Sequence, residues 1–183
     1  PNTAVHLLVD RSPSMSATVS PPGSRVERRI DVAWEATLSL AMALEGIQGV
    51  NVGVTAFPGK HGDHSSVYAV LPQGSPIRQR IAAFGCDLDG STPLAEALWY
   101  AASRLLNRQE PRKLLFVLTD GIPDDLAAAQ EILSQCLAAN IEVTGVGLGL
   151  DVSRVFDRSV TVQHLAELPG RLHDLCKNLL IAV

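Results

Sequence analysis

The chain has 183 residues, of which 46% are apolar and 4% aromatic, and its formal net charge at pH 7 is −4. This composition is typical of a single globular domain with a substantial core, and it excludes a disordered chain. The weak negative charge and the scarcity of aromatic side chains argue against nucleic acids and anionic membranes as partners.

The cysteines and the apolar runs predict a cytoplasmic protein. The three cysteines are far apart and form no Cys-x-x-Cys pair, which favours reduced thiols over a disulfide framework. No apolar run approaches the roughly 20 residues of a membrane span, and no signal peptide is visible at the start. The sequence begins at Pro1 rather than Met, directly before an apolar run. We therefore expect residues 1–183 to be a single domain, cut or processed from a longer protein.

Short apolar runs alternate with helical periodicities along the first half of the chain. Residues 5–9 read as a parallel strand covered on both faces, and residues 30–48 show the spacing of an amphipathic helix. An alternating strand pattern at 50–57 is followed, after a short glycine-containing loop, by a second strand pattern at 67–71. Because so short a connection produces a hairpin, we expect the strand at 67–71 to be an antiparallel edge.

The second half of the chain continues the alternation. Helices are predicted at 77–84 and 94–105, with Pro93 suited to the first turn of the latter. Residues 113–119 form another buried strand, and Asp124 is suited to cap a helix that ends at Asn140. The remaining predicted elements are strands at 141–148 and 159–162 and a last helix after the break at Pro169-Gly170.

This pattern predicts an α/β fold. We expect a doubly wound, Rossmann-like and mostly parallel sheet of about six strands, with one antiparallel edge strand and helices on both faces. Binding sites in such sheets lie at the carboxyl ends of strands, where the strand order reverses. Asp10 ends the first strand, and Asp120 follows the strand at 113–119. If those strands are neighbours at the reversal, both carboxylates lie in one crevice.

Hard oxygen ligands follow the first strand at alternating positions. Asp10, Ser12 and Ser14 place one carboxylate and two hydroxyls directly after the apolar run. Such an oxygen set suits a hard divalent cation such as Mg²⁺ or Mn²⁺. Taken singly, a Ser/Pro/Asp cluster after a strand is more often a turn with capping side chains. The cation interpretation therefore depends on further oxygens supplied from elsewhere in the chain.

Two later segments supply them: Gly90-Ser-Thr-Pro-Leu94 and Thr119-Asp-Gly-Ile-Pro-Asp124. The three segments in this order resemble the metal-ion-dependent adhesion site of von Willebrand factor A domains, and the resemblance covers essentially the whole chain. It implies one Mg²⁺ or Mn²⁺, with a last coordination position left for water or for an acidic residue of a partner protein. The residues that it implies around the cation are Asp10, Ser12, Ser14, Thr92 and Asp120.

The roles that the resemblance implies differ among these residues. The two serine hydroxyls bind the cation directly, Thr92 binds it directly or through water, and the two aspartates hold the shell, often through waters. One departure concerns Pro13, which stands where the family usually has glycine between the serines. Proline fixes φ and removes an N–H, so this residue puts the metal affinity in question.

Other candidate motifs have simpler explanations. His61-Gly-Asp-His64 could hold a transition metal, but a solvated loop is the favoured interpretation because no further ligand accompanies it. His6, inside the first strand, is expected to be a hydrogen-bonded core histidine. A dehalogenase-type phosphatase, an α/β-hydrolase and a P-loop nucleotidase each lack a required motif. We therefore expect no enzymatic activity from the chain by itself, and a metal-dependent hydrolase is the less favoured alternative.

The C-terminal third, from Asp120 to Val162, resembles bacterial intracellular A domains. It is most similar to the C-terminal domain of the cobaltochelatase accessory subunit of cobalamin biosynthesis, with the nitric-oxide-reductase activation proteins as the alternative. Both kinds of protein work beside an AAA+ ATPase. The resemblance thus implies a cytoplasmic adaptor between such an ATPase and a client metalloenzyme or chelatase subunit, with neither nucleic acid nor membrane as a partner.

Overall fold

The computed structural model describes residues 2–18, 26–60 and 66–181, and these residues form an α/β fold. The strands are β1 (Thr3–Asp10), β2 (Val50–Phe57), β3 (Tyr68–Leu71), β4 (Arg112–Thr119), β5 (Ile141–Leu148) and β6 (Ser159–Val162). The helices are α1 (Arg29–Glu45), α2 (Leu94–Leu106), α3 (Leu126–Ala138) and α4 (Leu168–Ile181). Short 3₁₀ turns lie at Pro13–Ser16, Ile77–Gln79, Ile81–Ala83 and Leu165–Glu167.

The strands form one six-stranded sheet in the order β3-β2-β1-β4-β5-β6. Strand β1 pairs in parallel with both β2 and β4, so the strand order reverses between β1 and β4. Strand β3 pairs with β2 in the antiparallel direction and lies at one edge. The sequence-based prediction of a doubly wound, mostly parallel sheet with one antiparallel edge strand is confirmed.

Strand β1 is buried along its whole length because helices cover both faces of the sheet. Val5, Leu7 and Val9 pack into a core that includes side chains of α1 and α4. Leu8, which points to the opposite face, packs into a second core that includes side chains of α2 and α3. This two-sided burial explains the apolar run that identified the strand, and it fixes the position of the following polar loop.

Three local features differ from the sequence-based predictions. The segment predicted as a helix at 77–84 forms two 3₁₀ turns instead of an α-helix. Helix α4 includes Pro169 and Gly170, because a proline in the first turn needs no N–H partner. Asp124 does not cap α3: Asp125 does so, by accepting a hydrogen bond of 2.9 Å from the N–H of Ala128.

No helix of the described residues has both the length and the apolar character of a membrane span.

His6 is a buried core histidine with both ring nitrogens hydrogen-bonded. Its Nδ1 lies 3.0 Å from Oε1 of Gln73, and its Nε2 lies 2.9 Å from the hydroxyl of Thr55. The amide nitrogen of Gln73 donates to the carbonyl of Val5 at 2.9 Å, which turns Oε1 toward His6. Nδ1 therefore donates and Nε2 accepts, as in the neutral imidazole. Burial lowers the pKa of His6 from 6.5 to about 4.

The lowered pKa predicts a loss of stability in mild acid. The unfolded chain takes up a proton on His6 below pH 6.5 while the folded chain does not, so the contribution of His6 to stability falls as the pH decreases from 6.5 toward 4. The raised pKa of Asp10 acts in the opposite direction over nearly the same range, so the effect of His6 is read from a comparison with a variant. We expect His6 to account for roughly 3 kcal/mol of this loss. Urea unfolding of the wild type and of a His6→Gln variant at pH 7.5, 6 and 5 measures it: the stability of the variant relative to the wild type should rise by about 2 kcal/mol between pH 7.5 and pH 5. Equal pH dependence in the two proteins would contradict this role.

Candidate metal centre

The reversal of strand order brings two carboxylates together at the carboxyl edge of the sheet. Asp10 is the last residue of β1, and Asp120 follows directly after β4. Val9 pairs with Leu118 in the parallel register, so the two aspartates leave neighbouring strands at the same level. Both residues are buried, with relative exposures of 0% and 5%. The two aspartates therefore meet at one edge of the sheet, as the reversal of strand order requires.

Asp10 is held by hydrogen bonds from both sides. Its Oδ1 accepts the backbone N–H of Ser12 at 2.8 Å, and its Oδ2 accepts the hydroxyl of Thr119 at 2.5 Å. Burial nevertheless raises the pKa of Asp10 from 3.8 to about 6, against the lowering effect of the Ser12 and Thr119 hydrogen bonds, and the charge of Asp120 adds to the rise. Burial therefore disfavours the charged form of Asp10 despite these hydrogen bonds, and a cation nearby would favour it.

The two serines present hydroxyl oxygens side by side. Ser14 donates its hydroxyl proton to Oδ1 of Asp120 at 2.6 Å, since a carboxylate can only accept. The Ser14 oxygen then accepts the hydroxyl proton of Ser12, with the two oxygens 3.1 Å apart. Neighbouring ligands of an octahedral cation with bonds of 2.0–2.1 Å lie about 3 Å apart. The spacing of the serine oxygens therefore fits an ion of the size of Mg²⁺ or Mn²⁺.

Pro13 is accommodated between these serines by the local backbone. It occupies the first position of the 3₁₀ turn Pro13–Ser16, where the fixed φ of proline suits the turn and its missing N–H is not needed. The N–H of Met15 closes the turn on the carbonyl of Ser12 at 3.0 Å, and the Met15 side chain is fully buried. The departure from the usual glycine thus leaves both serines at the crevice.

Thr92 lies on a loop that is joined to the loop after β4. Its N–H donates to both carboxylate oxygens of Asp124, at 3.1 and 3.0 Å, and its carbonyl accepts the N–H of Asp124 at 3.1 Å. Among the described residues, hydrogen bonds connect Asp10 to Ser12 and Ser14 to Asp120, but none joins the side chain of Thr92 to these four. Asp124 thus positions the backbone of Thr92, whereas the sequence had suggested that it caps a helix.

Sequence reasoning also missed Arg29, the first residue of α1. Its Nη1 donates to Oδ2 of Asp120 at 2.8 Å, and the Asp120 side chain is fully shielded from solvent. One signal was available: Arg28 and Arg29 are consecutive cations at a helix N-terminus, where the helix dipole disfavours positive charge. Such a placement indicates that an acidic group outside the helix compensates the charge.

Arg11 is a second missed residue, and the sequence offered no signal for it. Its guanidinium donates to the carbonyls of Pro58 at 2.7 Å and Gly59 at 2.6 Å, and also to the carbonyl of Asp87. Its Nη2 forms an ion pair of 3.1 Å with Asp89, although the Arg11 side chain is only 4% exposed. Arg11 therefore connects the loop after β1, which carries Ser12 and Ser14 and is called the serine loop below, to two other loops. One is the loop after β2, and the other is the loop that leads to Thr92.

The five residues predicted to surround a cation carry only oxygen donors, from aspartate, serine and threonine side chains. Within residues 2–18, 26–60 and 66–181, no group of three or more His, Cys, Asp and Glu side chains is placed to hold a metal ion. A cation at the sheet edge would therefore need hydroxyl oxygens in addition to the two carboxylates, and Ser12 and Ser14 are the hydroxyls that hydrogen bonds bring to these carboxylates. The alternative site His61-Gly-Asp-His64 lies outside the described residues.

Several solved structures are similar to this chain along most of its length. The pilus adhesin SpaC from Lactobacillus rhamnosus GG is 15% identical with a TM-score of 0.78, and the PilB minor pilin from Streptococcus sanguinis is 17% identical with a TM-score of 0.77. Each similarity covers 97% of this chain, which spans 30% of the adhesin and 61% of the pilin. The SpRpn10 VWA domain is 13% identical, with 92% and 94% of the two chains covered and a TM-score of 0.72.

These likenesses establish the fold, and the family follows from the sequence itself. The model of the von Willebrand factor type A domain matches residues 5–169, which include all three motif segments. The match extends over most of the 183 residues, from β1 to the first turn of α4. The chain therefore belongs to the von Willebrand factor type A domain family.

Proposed function

We propose that this chain is a protein-interaction module whose binding depends on one Mg²⁺ or Mn²⁺. Asp10, Ser12, Ser14, Thr92 and Asp120 would hold the cation, directly or through waters. The observation that carries the proposal is the pair of serine oxygens 3.1 Å apart beside two buried carboxylates. A bound divalent cation would supply an open coordination position for a carboxylate of the partner protein.

Binding is favoured over hydrolysis by the surroundings of this site. A hydrolase needs a general base within reach of the attacking water. His6 lies on β1, but its ring bonds to Gln73 and Thr55 inside the sheet instead of facing the strand end. The carboxylates of Asp10 and Asp120 accept hydrogen bonds from Thr119, Ser14 and Arg29, which suits holding an ion more than moving protons.

The partner that we propose is an AAA+ ATPase. The resemblance of the C-terminal third to the cobaltochelatase accessory subunit supports this partner, and it adds a client chelatase subunit or metalloenzyme in the cytoplasm. The nitric-oxide-reductase activation proteins, which imply the same kind of ATPase, are the second candidate within this proposal. Similarity to a protein named as an adhesin supports only the general role in protein binding.

Partner capture by the full-length protein tests the proposal. We expect an AAA+ ATPase subunit to be retained on the immobilised protein in Mg²⁺, released by EDTA, and retained again after Mg²⁺ is restored, with mass spectrometry as the readout. Asp151→Asn provides a control for substitution of Asp10, because Asp151 lies in the exposed loop after β5 and accepts the N–H of the serine two residues later, as Asp10 does. Retention that persists in EDTA would mean that the interface lies elsewhere on the domain.

A further inference from the structure

Arg29 occupies a position that helix stability does not explain. It stands at the first position of α1, where the helix dipole disfavours a cation. Its Nε is buried without a hydrogen-bond partner among the described residues, which carries a further cost. The guanidinium is nevertheless directed inward, to a carboxylate with no solvent exposure. The compensating interaction is therefore the ion pair with Asp120.

The surroundings of the guanidinium are shaped to admit it. Gly149, which follows β5, has a φ of +76°, and a Cβ at this residue would lie 3.1 Å from Nη2 of Arg29. A side chain there would be strained and would crowd the arginine. The N–H of Arg29 also donates to the carbonyl of Ala17 at 2.9 Å, which joins the start of α1 to the end of the serine loop. The space at Gly149 and the hydrogen bond to Ala17 thus both help to place Arg29 beside Asp120.

We propose that Arg29 is an internal cation that competes with the divalent ion for Asp120. The inference rests on the proposed function, because it concerns the same site. In the metal-free chain the guanidinium takes part of the charge of Asp120 and so reduces its repulsion with Asp10. A divalent ion between the same carboxylates must displace the guanidinium or tolerate a positive charge nearby. Either outcome lowers the affinity for the ion.

The test compares two neighbouring arginines in the full-length protein. Arg29→Met removes the internal cation while it keeps the length of the side chain. Arg28→Met is the matched control, because Arg28 has the same charge but pairs with Asp31 and Asp87 at the surface. Arg29→Lys keeps the positive charge but changes the shape of the charged group, so it shows whether the charge alone affects metal binding. Isothermal calorimetry with Mn²⁺ and Mg²⁺ gives the affinities, and thermal unfolding in EDTA and in excess Mg²⁺ gives the stabilities.

We expect Arg29→Met to bind the ions at least about tenfold more tightly than the wild type, and Arg28→Met and Arg29→Lys to stay within about threefold of it. Arg29→Met should also unfold at a lower temperature in EDTA and gain more from Mg²⁺ than the wild type does. Unchanged or weaker metal binding by a folded Arg29→Met protein would overturn the inference and leave the proposed function standing. Absence of metal binding by every variant would overturn both.

Discussion

Replacement of Asp10 with asparagine is expected to reduce the affinity for Mg²⁺ by about 100-fold or more, since the site loses half of its carboxylate charge. Asparagine keeps nearly the same shape and can still accept the N–H of Ser12. Burial already raises the pKa of Asp10 to about 6, so the charged form costs folding energy at pH 7. The melting temperature in EDTA should therefore be no lower than that of the wild type. Calorimetry and thermal unfolding measure the two effects.

Asp151→Asn is again the control for this substitution, because Asp151 accepts the N–H of Ser153 as Asp10 accepts that of Ser12, but it lies in the exposed loop after β5. Its metal affinity should equal that of the wild type. If Asp10→Asn bound Mg²⁺ as tightly as the control, the cation would lie elsewhere. If the variant instead unfolded in EDTA well below the wild type, Asp10 would have a structural role that its raised pKa does not predict.

Arg11→Met is expected to lower the free energy of unfolding by about 3 kcal/mol or more, which is the scale for a buried charge network that loses one member. The variant removes the ion pair with Asp89 and the hydrogen bonds that Arg11 donates to the carbonyls of Pro58 and Gly59. Equilibrium urea unfolding at constant Mg²⁺ measures the change. The loss should be accompanied by weaker metal binding, because Arg11 also fixes the loop that leads to Thr92.

Arg28→Met supplies the comparison for Arg11 as well. Arg28 makes two ion pairs, but its side chain is 40% exposed, so solvent and salt screen them and their contribution to stability is small. A loss of stability for Arg11→Met as small as that for Arg28→Met would show that solvent can replace the bonds of the buried guanidinium. In that event the three loops would be held together by other contacts.

The fold was predictable because its signals are local and repeated. Burial on both faces produces the apolar runs of β1 and β4, and the short connection before β3 indicates its antiparallel direction. The doubly wound order then requires Asp10 and Asp120 to meet. The least predictable elements were short ones, such as the 3₁₀ turns at Ile77–Gln79 and Ile81–Ala83. Over so few residues, the spacing of apolar side chains does not distinguish a 3₁₀ turn from an α-helix.

The parts of the site that escaped prediction are long-range contacts. Asp124 and Asp125 are equally good capping residues in sequence, and only the approach of the Thr92 loop separates their roles. Arg11 reads as a solvated residue between Asp10 and Ser12, yet it bonds to segments about 50 and 80 residues away. Hydrogen-bond partners so distant in sequence leave no pattern in a single chain.

The most direct test of the metal centre is anomalous diffraction at the manganese edge from crystals saturated with Mn²⁺. We predict one strong peak bonded to the hydroxyl oxygens of Ser12 and Ser14, with Asp10 and Asp120 around it directly or through waters. A peak at another position, or no peak at the two serines at saturating Mn²⁺, would contradict the proposed site.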